Sequence, residues 1–282
     1  MKQPTLHKIY PYLRSHKKFP HVWCPGCGIG IVLGTLVRSI DTLGLQKDNI
    51  ALVSGIGCTG RMPVYVDFNT LHTTHGRALA FATGLKIARP EMNVIVVMGD
   101  GDALAIGGNH FIHAARRNIG ITTIIVNNLI YGMTGGQSSP TTPTGSIATT
   151  AAYGNIEQPF DISRMAEAAG AAFVARSTVV HVFELEKLME RALGKKGFAV
   201  LEVISNCHVG YGRQNTMPSA VEMLNWMRHN SVSLSTPPDK IEGKITRGVM
   251  VDKDVPEYTD LYQQVIDRAT HSAHPLGQIP RP

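Results

Sequence analysis

Two short polar motifs, each directly after an apolar run, carry the residue types that bind a divalent cation. Residues 93–98 are followed by Gly99-Asp100-Gly101-Asp102, and residues 121–126 run into Asn127-Asn128. Mg²⁺ prefers hard oxygen ligands and takes one or two from side chains, with the rest from phosphates and water. Asp100 can provide a carboxylate oxygen, Asn128 an amide oxygen and Ile130 a backbone carbonyl. These three residues are therefore the candidate ligands of one magnesium ion bound beside a phosphate group.

The elements that would position these ligands form a βαβ unit. Both apolar runs are rich in Val and Ile, which favours strands buried on both faces, and residues 103–117 have helical apolar spacing with Asp102 as the predicted N-cap. Open parallel sheets bind ligands at the carboxyl ends of their strands. Gly99 and Gly101 leave space for a diphosphate, and a helix N-terminus favours negative charge. An ordinary turn at Asp100 is the alternative, but Gly-Asp-Gly and then Asn-Asn about 25 residues later, each after a predicted buried strand, together favour a ligand site.

Four cysteines form the second group with chemical potential. Cys24 and Cys27 are a CxxC pair in a loop rich in Pro and Gly, Cys58 follows a predicted strand at 50–53, and Cys207 follows one at 198–204. All four lie in predicted loops, and two end strands, so they can meet at one edge of the sheet. Thiolates bind either structural zinc or an iron–sulfur cluster, and the cysteines alone leave both open. Cys58 and Cys207 could also be inert core thiols.

The pattern as a whole resembles a known family. Gly-Asp-Gly followed by Asn-Asn is the fingerprint of thiamine diphosphate enzymes, and the continuation YGMTGGQSSPTTPTG resembles the β chain of 2-oxoacid:ferredoxin oxidoreductases. The stretches CPGCG at 24–28, GIGC at 55–58 and HGR at 75–77 match the same family in the same order. The resemblance covers about residues 15 to 215. Among the subfamilies, the sequence looks most like 2-oxoglutarate:ferredoxin oxidoreductase.

The resemblance implies a ligand for each part of the site. The four cysteines would bind a [4Fe–4S] cluster. The neighbouring thiamine diphosphate motif favours a cluster over zinc, because a cluster gives electrons a route away from the cofactor. Met133 would contact the substrate; its position resembles an Asn in pyruvate-specific relatives, which argues against pyruvate. The implied ligands of Mg²⁺ are Asp100, Asn128 and Ile130. The implied thiamine diphosphate-binding residues are Ile56, Gly57, Cys58, Thr59, His75, Gly99, Gly101, Asp102, Gly132 and Met133.

The resemblance also implies the reaction and the partners. Thiamine diphosphate adds to the keto carbon of a 2-oxoacid and stabilises the carbanion left after CO₂ departs. With coenzyme A the product would be an acyl thioester, succinyl-CoA from 2-oxoglutarate, and electrons would pass through the cluster to ferredoxin. In thiamine enzymes a glutamate on a different domain activates the aminopyrimidine. No glutamate of this chain has a suitable setting, so an α subunit is expected to supply it, with much of the substrate pocket and the coenzyme A site.

Length and composition support this assignment. The 282 residues suffice for one α/β domain with extensions but not for two full cofactor-binding halves. A hydrophobic content of 43%, a mean hydropathy near zero and the lack of a long apolar run or signal-peptide core predict a soluble cytoplasmic protein without a membrane span. The net charge of +6 fits an acidic ferredoxin or a merely basic surface. Its scattered distribution argues against nucleic acid.

We predict an α/β thiamine diphosphate-binding fold, with a mainly parallel sheet and helices on both faces, over residues 1–216. Residues 217–282 are expected to form an arm that packs on a partner subunit and ends in a frayed, Pro-containing tail; a small independent domain is the alternative. Residues 131–152, rich in Gly, Ser, Thr and Pro, are either disordered or an active-site loop, and their position favours the loop. Further helices are predicted from just after Cys27 to Gly44 and at 77–88, 161–169, 181–193, 221–229 and 258–269, with a strand at 173–175.

Several other polar residues are weaker candidates. His75 precedes the helix predicted at 77–88 and can donate to a phosphate oxygen; Arg77 and Asn109 are less favoured. His110 and His113 share a helical face but lack a third metal ligand, so packing is the preferred interpretation.

Other functions remain alternatives. The same chemistry could act on another 2-oxoacid such as pyruvate or 2-oxoisovalerate. The chain could also be a non-redox thiamine enzyme subunit with structural zinc, or a zinc-bearing assembly protein without catalysis.

Overall fold

The two apolar runs form neighbouring strands at the centre of a sheet. The computed structural model describes residues 9–16 and 20–271. β3 (Asn93–Gly99) and β4 (Ile121–Asn127) pair in parallel, with Gly99 beside Val126. Nearly all their residues are buried, which explains why both strands are apolar without alternation. Their polar carboxyl ends therefore meet at one edge of the sheet.

The main sheet has eight strands in the order β2-β1-β3-β4-β8-β7-β10-β9. The six strands from β2 to β7 are parallel, β10 is antiparallel to β7, and β9 is parallel to β10. A separate antiparallel pair, β5 and β6, follows β4. The remaining strands are β1 Ile50–Ser54, β2 Asn69–His72, β5 Ile130–Tyr131, β6 Gln137–Ser138, β7 Phe173–Thr178, β8 Ala199–Ile204, β9 Ser231–Ser233 and β10 Ile245–Asp252.

Helices cover both faces of the sheet, and each face has its own apolar core. α1 and α6 pack on the face that presents Ile95 and Val97, whereas α2, α4 and α5 cover the opposite face with Val94 and Val96. This arrangement confirms the predicted α/β fold class. The helices are α1 Ile29–Thr42, α2 Ala78–Ala88, α3 Asp100–Leu104, α4 Gly108–Arg117, α5 Ile162–Ala168, α6 Val182–Gly194, α7 Ala220–His229 and α8 Tyr258–His271, with 3₁₀ turns at Tyr10–Tyr12, Lys47–Asn49, Thr59–Val64, Gly212–Gln214 and Pro238–Lys240.

The predicted single helix at 103–117 is wrong in one respect, because the structure divides it into α3 and α4. α3 begins at Asp100, with Gly99 as its N-cap, so Asp102 lies inside the helix and is not the cap that the sequence suggested. The chain breaks at Ala105 and resumes as a helix at Gly108. A Cβ on Gly107 would lie 2.3 Å from the Asp102 carbonyl oxygen, so this close approach of two turns requires glycine.

The C-terminal part contains the two predicted helices and two strands that the sequence did not indicate. Ser219 and Glu222 form a capping box at the start of α7. β10 extends the main sheet beyond β7, with a register shift between Val249 and Val251. The boundary at residue 216 remains a prediction, and the predicted frayed tail beyond residue 271 lies outside the described residues. Within the described part of the chain, no helix is both long and apolar enough to cross a membrane.

Candidate active site

Asp100 lies at the carboxyl end of β3 and is held by two hydroxyl groups. Ser139 Oγ and Thr141 Oγ1 each donate to Asp100 Oδ2 at 2.5 Å. Burial raises the pKa of Asp100, and these two hydroxyl donors act in the opposite direction. The ion pairs found among the described residues do not include Asp100. The second carboxylate oxygen, Oδ1, therefore lacks a protein cation and is directed toward Asn128.

Three oxygen atoms converge at this point. Asn128 Oδ1 accepts a long hydrogen bond from the Ile130 N–H at 3.4 Å, but it also lies 2.7 Å from the carbonyl oxygen of Ile130 and 3.2 Å from Asp100 Oδ1, which are both acceptors. Turning the amide by half a rotation would let its nitrogen donate to both oxygens instead. A hard cation between the three oxygens satisfies them without that rotation. The donor set thus fits Mg²⁺, and the three residues proposed as its ligands are brought together.

The same three residues line a cavity of about 300 Å³. Tyr131 and Thr134 also line this cavity, and neither was predicted from the sequence as a site residue. Its size, its largely apolar lining and its few convergent polar groups fit part of an elongated phosphate-containing cofactor. All of the residues predicted to bind the cofactor line it: Ile56, Gly57, Cys58, Thr59, His75, Gly99, Gly101, Asp102, Gly132 and Met133. The structure therefore brings the whole predicted set together, and their individual roles remain predictions.

Asp102 has a different local role from the one predicted. Its Oδ1 accepts a 2.6 Å hydrogen bond from the Gly76 backbone N–H and lies 2.7 Å from His75 Nδ1. Burial raises the pKa of Asp102, whereas the Gly76 N–H and His75 lower it. Its Oδ2 is buried against Gly55, where an added Cβ would approach it to 1.9 Å. Asp102 thus joins α3 to the His75-Gly76 turn at the cavity wall.

Position 101 requires glycine because the side chain of Tyr131 occupies the space that a Cβ would need. A Cβ at residue 101 would lie 2.2 Å from Cε1 of Tyr131, whose hydroxyl donates to the Gly101 carbonyl at 3.3 Å. At Gly99, by contrast, an added Cβ would meet only Thr59 Oγ1 at 3.9 Å. The predicted space for a diphosphate is therefore found at Gly99, whereas Gly101 makes room for Tyr131.

All four cysteines line a second cavity, of about 90 Å³, that adjoins the first. Cys24 is exposed, and Cys27, Cys58 and Cys207 are half-buried. The two cavities share four lining residues, namely Cys58, Asn128, Gly132 and Met133. An added Cβ on Gly132 would lie 3.1 Å from Cys207 Sγ and 4.0 Å from Cys58 Sγ, so glycine lets the backbone pass between the thiols.

Burial favours the neutral form of three thiols, those of Cys27, Cys58 and Cys207. Burial raises the pKa of the Cys27 thiol to about 12 and that of Cys58 to about 11, and it also raises the pKa of Cys207. A coordinating metal deprotonates a thiol outright. Among the described residues, however, no three Cys, His, Asp or Glu side chains are close enough to hold a single metal ion as they stand. The four thiols share one cavity, and their role as cluster ligands remains a prediction.

The loop at 131–152 is built around the Asp100 carboxylate, and it holds the residues that sequence reasoning missed. Besides Ser139 and Thr141, it contributes Thr142, whose hydroxyl donates to the Leu129 carbonyl at 2.6 Å. Asn155 closes the loop by donating to the Thr142 carbonyl at 2.8 Å. A run of Ser and Thr after a ligand motif is a signal that could have identified the hydroxyl donors, because such side chains favour local hydrogen bonds.

The weaker histidine candidates form a separate pair of contacts. Arg77 Nη1 lies 2.7 Å from His110 Nε2, and because arginine only donates, this nitrogen of His110 accepts. Burial and the Arg77 charge lower the pKa of His110. His113 Nδ1 accepts from Arg116 Nε at 3.4 Å. The two histidines therefore have different arginine partners, which agrees with a packing role.

Comparison with known proteins assigns the fold and a family. The family model described as "Thiamine pyrophosphate enzyme, C-terminal TPP binding domain" matches residues 55–203. The chain is 49% identical over 266 residues to the 2-oxoglutarate synthase subunit KorB of Methanothermobacter marburgensis, covering 92% of this chain and 93% of that one. It is 46% identical over 267 residues to the subunit of the same name from Methanocaldococcus jannaschii, covering 93% and 98% of the two chains.

A solved structure of a similar enzyme has the same fold as this chain. The 2-oxoglutarate:ferredoxin oxidoreductase from Magnetococcus marinus, solved with 2-oxoglutarate, coenzyme A and succinyl-CoA bound, superposes with a TM-score of 0.84. The two chains are 31% identical, and the match covers 94% of this chain and 92% of the other.

Proposed function

This chain belongs to the thiamine pyrophosphate enzymes and, within them, to the KorB subunits of 2-oxoglutarate synthase, and from that premise we propose how its residues serve the reaction. The proposed reaction is the oxidative decarboxylation of 2-oxoglutarate with coenzyme A to succinyl-CoA, with ferredoxin as electron acceptor. The chain would supply the Mg²⁺ and diphosphate end of the thiamine diphosphate site and four thiolates for a [4Fe–4S] cluster.

One observation carries the proposal for the cofactor site. Asp100 Oδ1, Asn128 Oδ1 and the Ile130 carbonyl meet in a cavity that all of the predicted cofactor-binding residues line. Mg²⁺ bound by these oxygens would accept diphosphate oxygens at its remaining positions. When bound, thiamine diphosphate supplies a nucleophilic carbon and an electron sink for decarboxylation. The protein residues would hold the diphosphate, orient the rings and exclude water.

The adjoining cavity supports the redox part of the proposal. Cys58, Gly132 and Met133 line both cavities, so a centre bound by the thiols would lie next to the cofactor. Trp23 Nε1 donates to the Cys58 carbonyl at 2.7 Å and its ring packs 5.2 Å from that of Tyr65, which fixes the Cys58 loop. A cluster at this position would pass single electrons to ferredoxin, whereas zinc would not change its redox state.

The residues that line the cavity support the proposal of a partner subunit. None of the described residues that line it is a glutamate, the residue type expected to activate the aminopyrimidine. Large apolar side chains are also exposed: Ile56 and Met133 on the cavity wall, and Tyr153 and Ile156 directly after the 131–152 loop. Exposed apolar groups of this size are typical of protein interfaces. We therefore assign them to contact with the α subunit that carries the glutamate and the coenzyme A site.

The proposal is tested on the anaerobically purified αβ complex. Iron and acid-labile sulfide in amounts matching one cluster, Mg²⁺-dependent binding of thiamine diphosphate, and ferredoxin reduction that requires 2-oxoglutarate and coenzyme A are expected. Parallel assays with pyruvate and 2-oxoisovalerate check the substrate. A colourless complex containing zinc without iron would support the non-redox alternative. A complex that binds no thiamine diphosphate would support a role without catalysis.

A further inference from the structure

A bulky residue with left-handed backbone geometry separates two of the proposed Mg²⁺ ligands. Leu129 has a φ of 67° and lies between Asn128 and Ile130. This region is unfavourable for side chains other than Gly, Asn and Asp, and it persists only where the surroundings hold it. Asn118, another described residue of this kind, is the C-cap of α4, where such geometry is common. Leu129 caps no helix, so its geometry needs another explanation.

Both backbone groups of Leu129 are held by side chains. Its N–H donates to Asn127 Oδ1 at 3.2 Å, and its carbonyl accepts from Thr142 Oγ1 at 2.6 Å. Thr142 is fully buried, and its hydroxyl also accepts from the Ser139 N–H at 2.8 Å. The turn is thus fixed from one side by β4 and from the other by the loop that carries the Asp100 hydroxyl donors.

Asn127 is itself locked by a buried ion pair. Its Nδ2 donates to Glu202 Oε1 at 2.9 Å, while Glu202 Oε2 accepts from Arg176 Nε at 2.7 Å. Glu202 is 2% exposed and Asn127 5% exposed. The Asn127 amide cannot rotate without pointing its oxygen at the Glu202 carboxylate. Its Oδ1 is therefore kept toward Leu129, where it also lies 3.1 Å from the Thr141 hydroxyl.

We propose that this clamped left-handed turn presets the Mg²⁺ site, with Asn127, Leu129 and Thr142 as positioning residues that do not touch the ion. A residue in extended or right-handed geometry at position 129 would turn the Ile130 carbonyl away from Asn128. Because the turn is already ordered before the ion binds, binding does not include the entropy cost of ordering it. The affinity for the metal and the cofactor together is therefore higher. The proposal rests on the proposed function, because it concerns the same Mg²⁺–diphosphate site.

Two substitutions at Leu129 separate this role from simple packing. Leu129 packs on a small apolar cluster with Ile130, Tyr211 and Met223. Leu129→Val keeps an apolar side chain but is β-branched and strongly disfavoured at positive φ, whereas Leu129→Asn loses apolar contact but tolerates that geometry. If Leu129 acts only through packing, the Leu129→Val complex should have the higher Mg²⁺ affinity of the two variants. The positioning role predicts the reverse order for Mg²⁺ affinity.

The experiment measures thiamine diphosphate binding to the αβ complex by calorimetry over a series of Mg²⁺ concentrations. The Leu129→Val complex should need about tenfold more Mg²⁺ for half-saturation, and the Leu129→Asn complex no more than wild type. Thermal midpoints of the three complexes report packing separately. Thr142→Val, which removes the clamp, and Thr142→Ser, which keeps it, provide a second pair if the Val variant at position 129 does not assemble.

The outcomes distinguish this proposal from the proposed function. An equal Mg²⁺ requirement for wild type and both Val variants would overturn the positioning role while leaving the cofactor site intact. The positioning role would also be overturned if the variants rank in Mg²⁺ affinity as they rank in thermal midpoint, and not by how well the residue at position 129 tolerates positive φ. A wild-type complex that binds no thiamine diphosphate at any Mg²⁺ concentration would overturn the proposed function itself, and the turn's role with it.

Discussion

Thr141 Oγ1 lies 2.5 Å from Asp100 Oδ2, although the two residues are 41 positions apart in the sequence. Ser139 makes the same contact from the same loop. The proposed Mg²⁺ ligand is therefore oriented by a loop that folds back over the end of β3. We expect cofactor binding to depend on the carboxylate most strongly and on the two hydroxyl groups to a smaller extent.

Asp100→Ala should abolish Mg²⁺-dependent binding of thiamine diphosphate, because the only charged side chain among the three proposed protein ligands is lost. Ser139→Ala and Thr141→Val should each weaken it by about 10- to 100-fold, the usual effect of removing a group that orients a metal ligand. Calorimetric titration of the αβ complex measures both effects. Thr122→Val is the matched control, since it removes a buried hydroxyl at the far end of β4 that donates to the Ala192 carbonyl. Wild-type affinity in Asp100→Ala would remove this residue from the metal site.

Cys58→Ser should lose the iron–sulfur absorbance and ferredoxin reduction, because a serine hydroxyl is a poor replacement for a soft thiolate ligand. Iron and sulfide analysis of the anaerobic complex, together with its visible spectrum, measures the loss. Asp100→Ala is the reciprocal control and should keep the cluster while losing the cofactor. An unchanged brown spectrum with full ferredoxin reduction would exclude Cys58 as a ligand.

Met133→Asn should raise the ratio of kcat/KM for pyruvate to kcat/KM for 2-oxoglutarate by roughly tenfold, because one contact in a substrate pocket changes discrimination by about this factor. Met133 is half-exposed on the wall of the cofactor cavity, where an amide could reach the substrate. Steady-state assays with both substrates check the ratio. Met133→Leu, which keeps the apolar character, should leave it near the wild-type value. An unaltered ratio in Met133→Asn would place the selectivity elsewhere, in the partner subunit.

Tyr153→Ser combined with Ile156→Ser should weaken assembly with the α subunit by at least about tenfold without lowering the thermal midpoint of this chain. Both side chains are almost completely exposed, so the folded chain alone gains little from them, whereas buried aromatic and aliphatic anchors dominate interface energies. Analytical ultracentrifugation of mixed subunits measures the affinity. Phe183→Ser, an equally exposed site at the start of α6, is the control. Assembly at wild-type affinity would contradict the interface.

The Arg77–His110 contact predicts a dependence of stability on pH. Burial and the Arg77 charge lower the pKa of His110 below its usual 6.5, so the folded state favours the neutral ring. This contribution to stability is present above pH 6.5 and is lost as the pH falls through the lowered pKa of the folded state. His110→Gln, which still accepts from Arg77, should give a thermal midpoint that falls less than that of wild type between about pH 7.5 and about pH 5.5. Parallel pH profiles for the two proteins would contradict the prediction.

The sequence by itself determined the elements that carry the site. Buried strands need continuous Val and Ile, so β3 and β4 were recognisable, and the parallel crossover rule placed Asp100 and Asn128 at one edge of the sheet. The four cysteines were recognisable as one group because each lies in a loop near a strand end or a helix start. Helix signals were equally local, as with Asp161, whose side chain caps α5 at the Arg164 N–H.

Only the tertiary structure decided how these residues are oriented. The break between α3 and α4, which moves Asp102 from a cap to the cavity wall, depends on the close approach of Gly107 to another turn. β10 has few buried residues and forms a strand because it pairs with the edge of β7. Nothing in the sequence of the β10 segment itself indicates this pairing. The left-handed turn at Leu129 and the hydroxyl groups on Asp100 likewise arise from contacts between distant segments. Periodicity and capping are local in sequence, whereas these orientations are set by long-range packing.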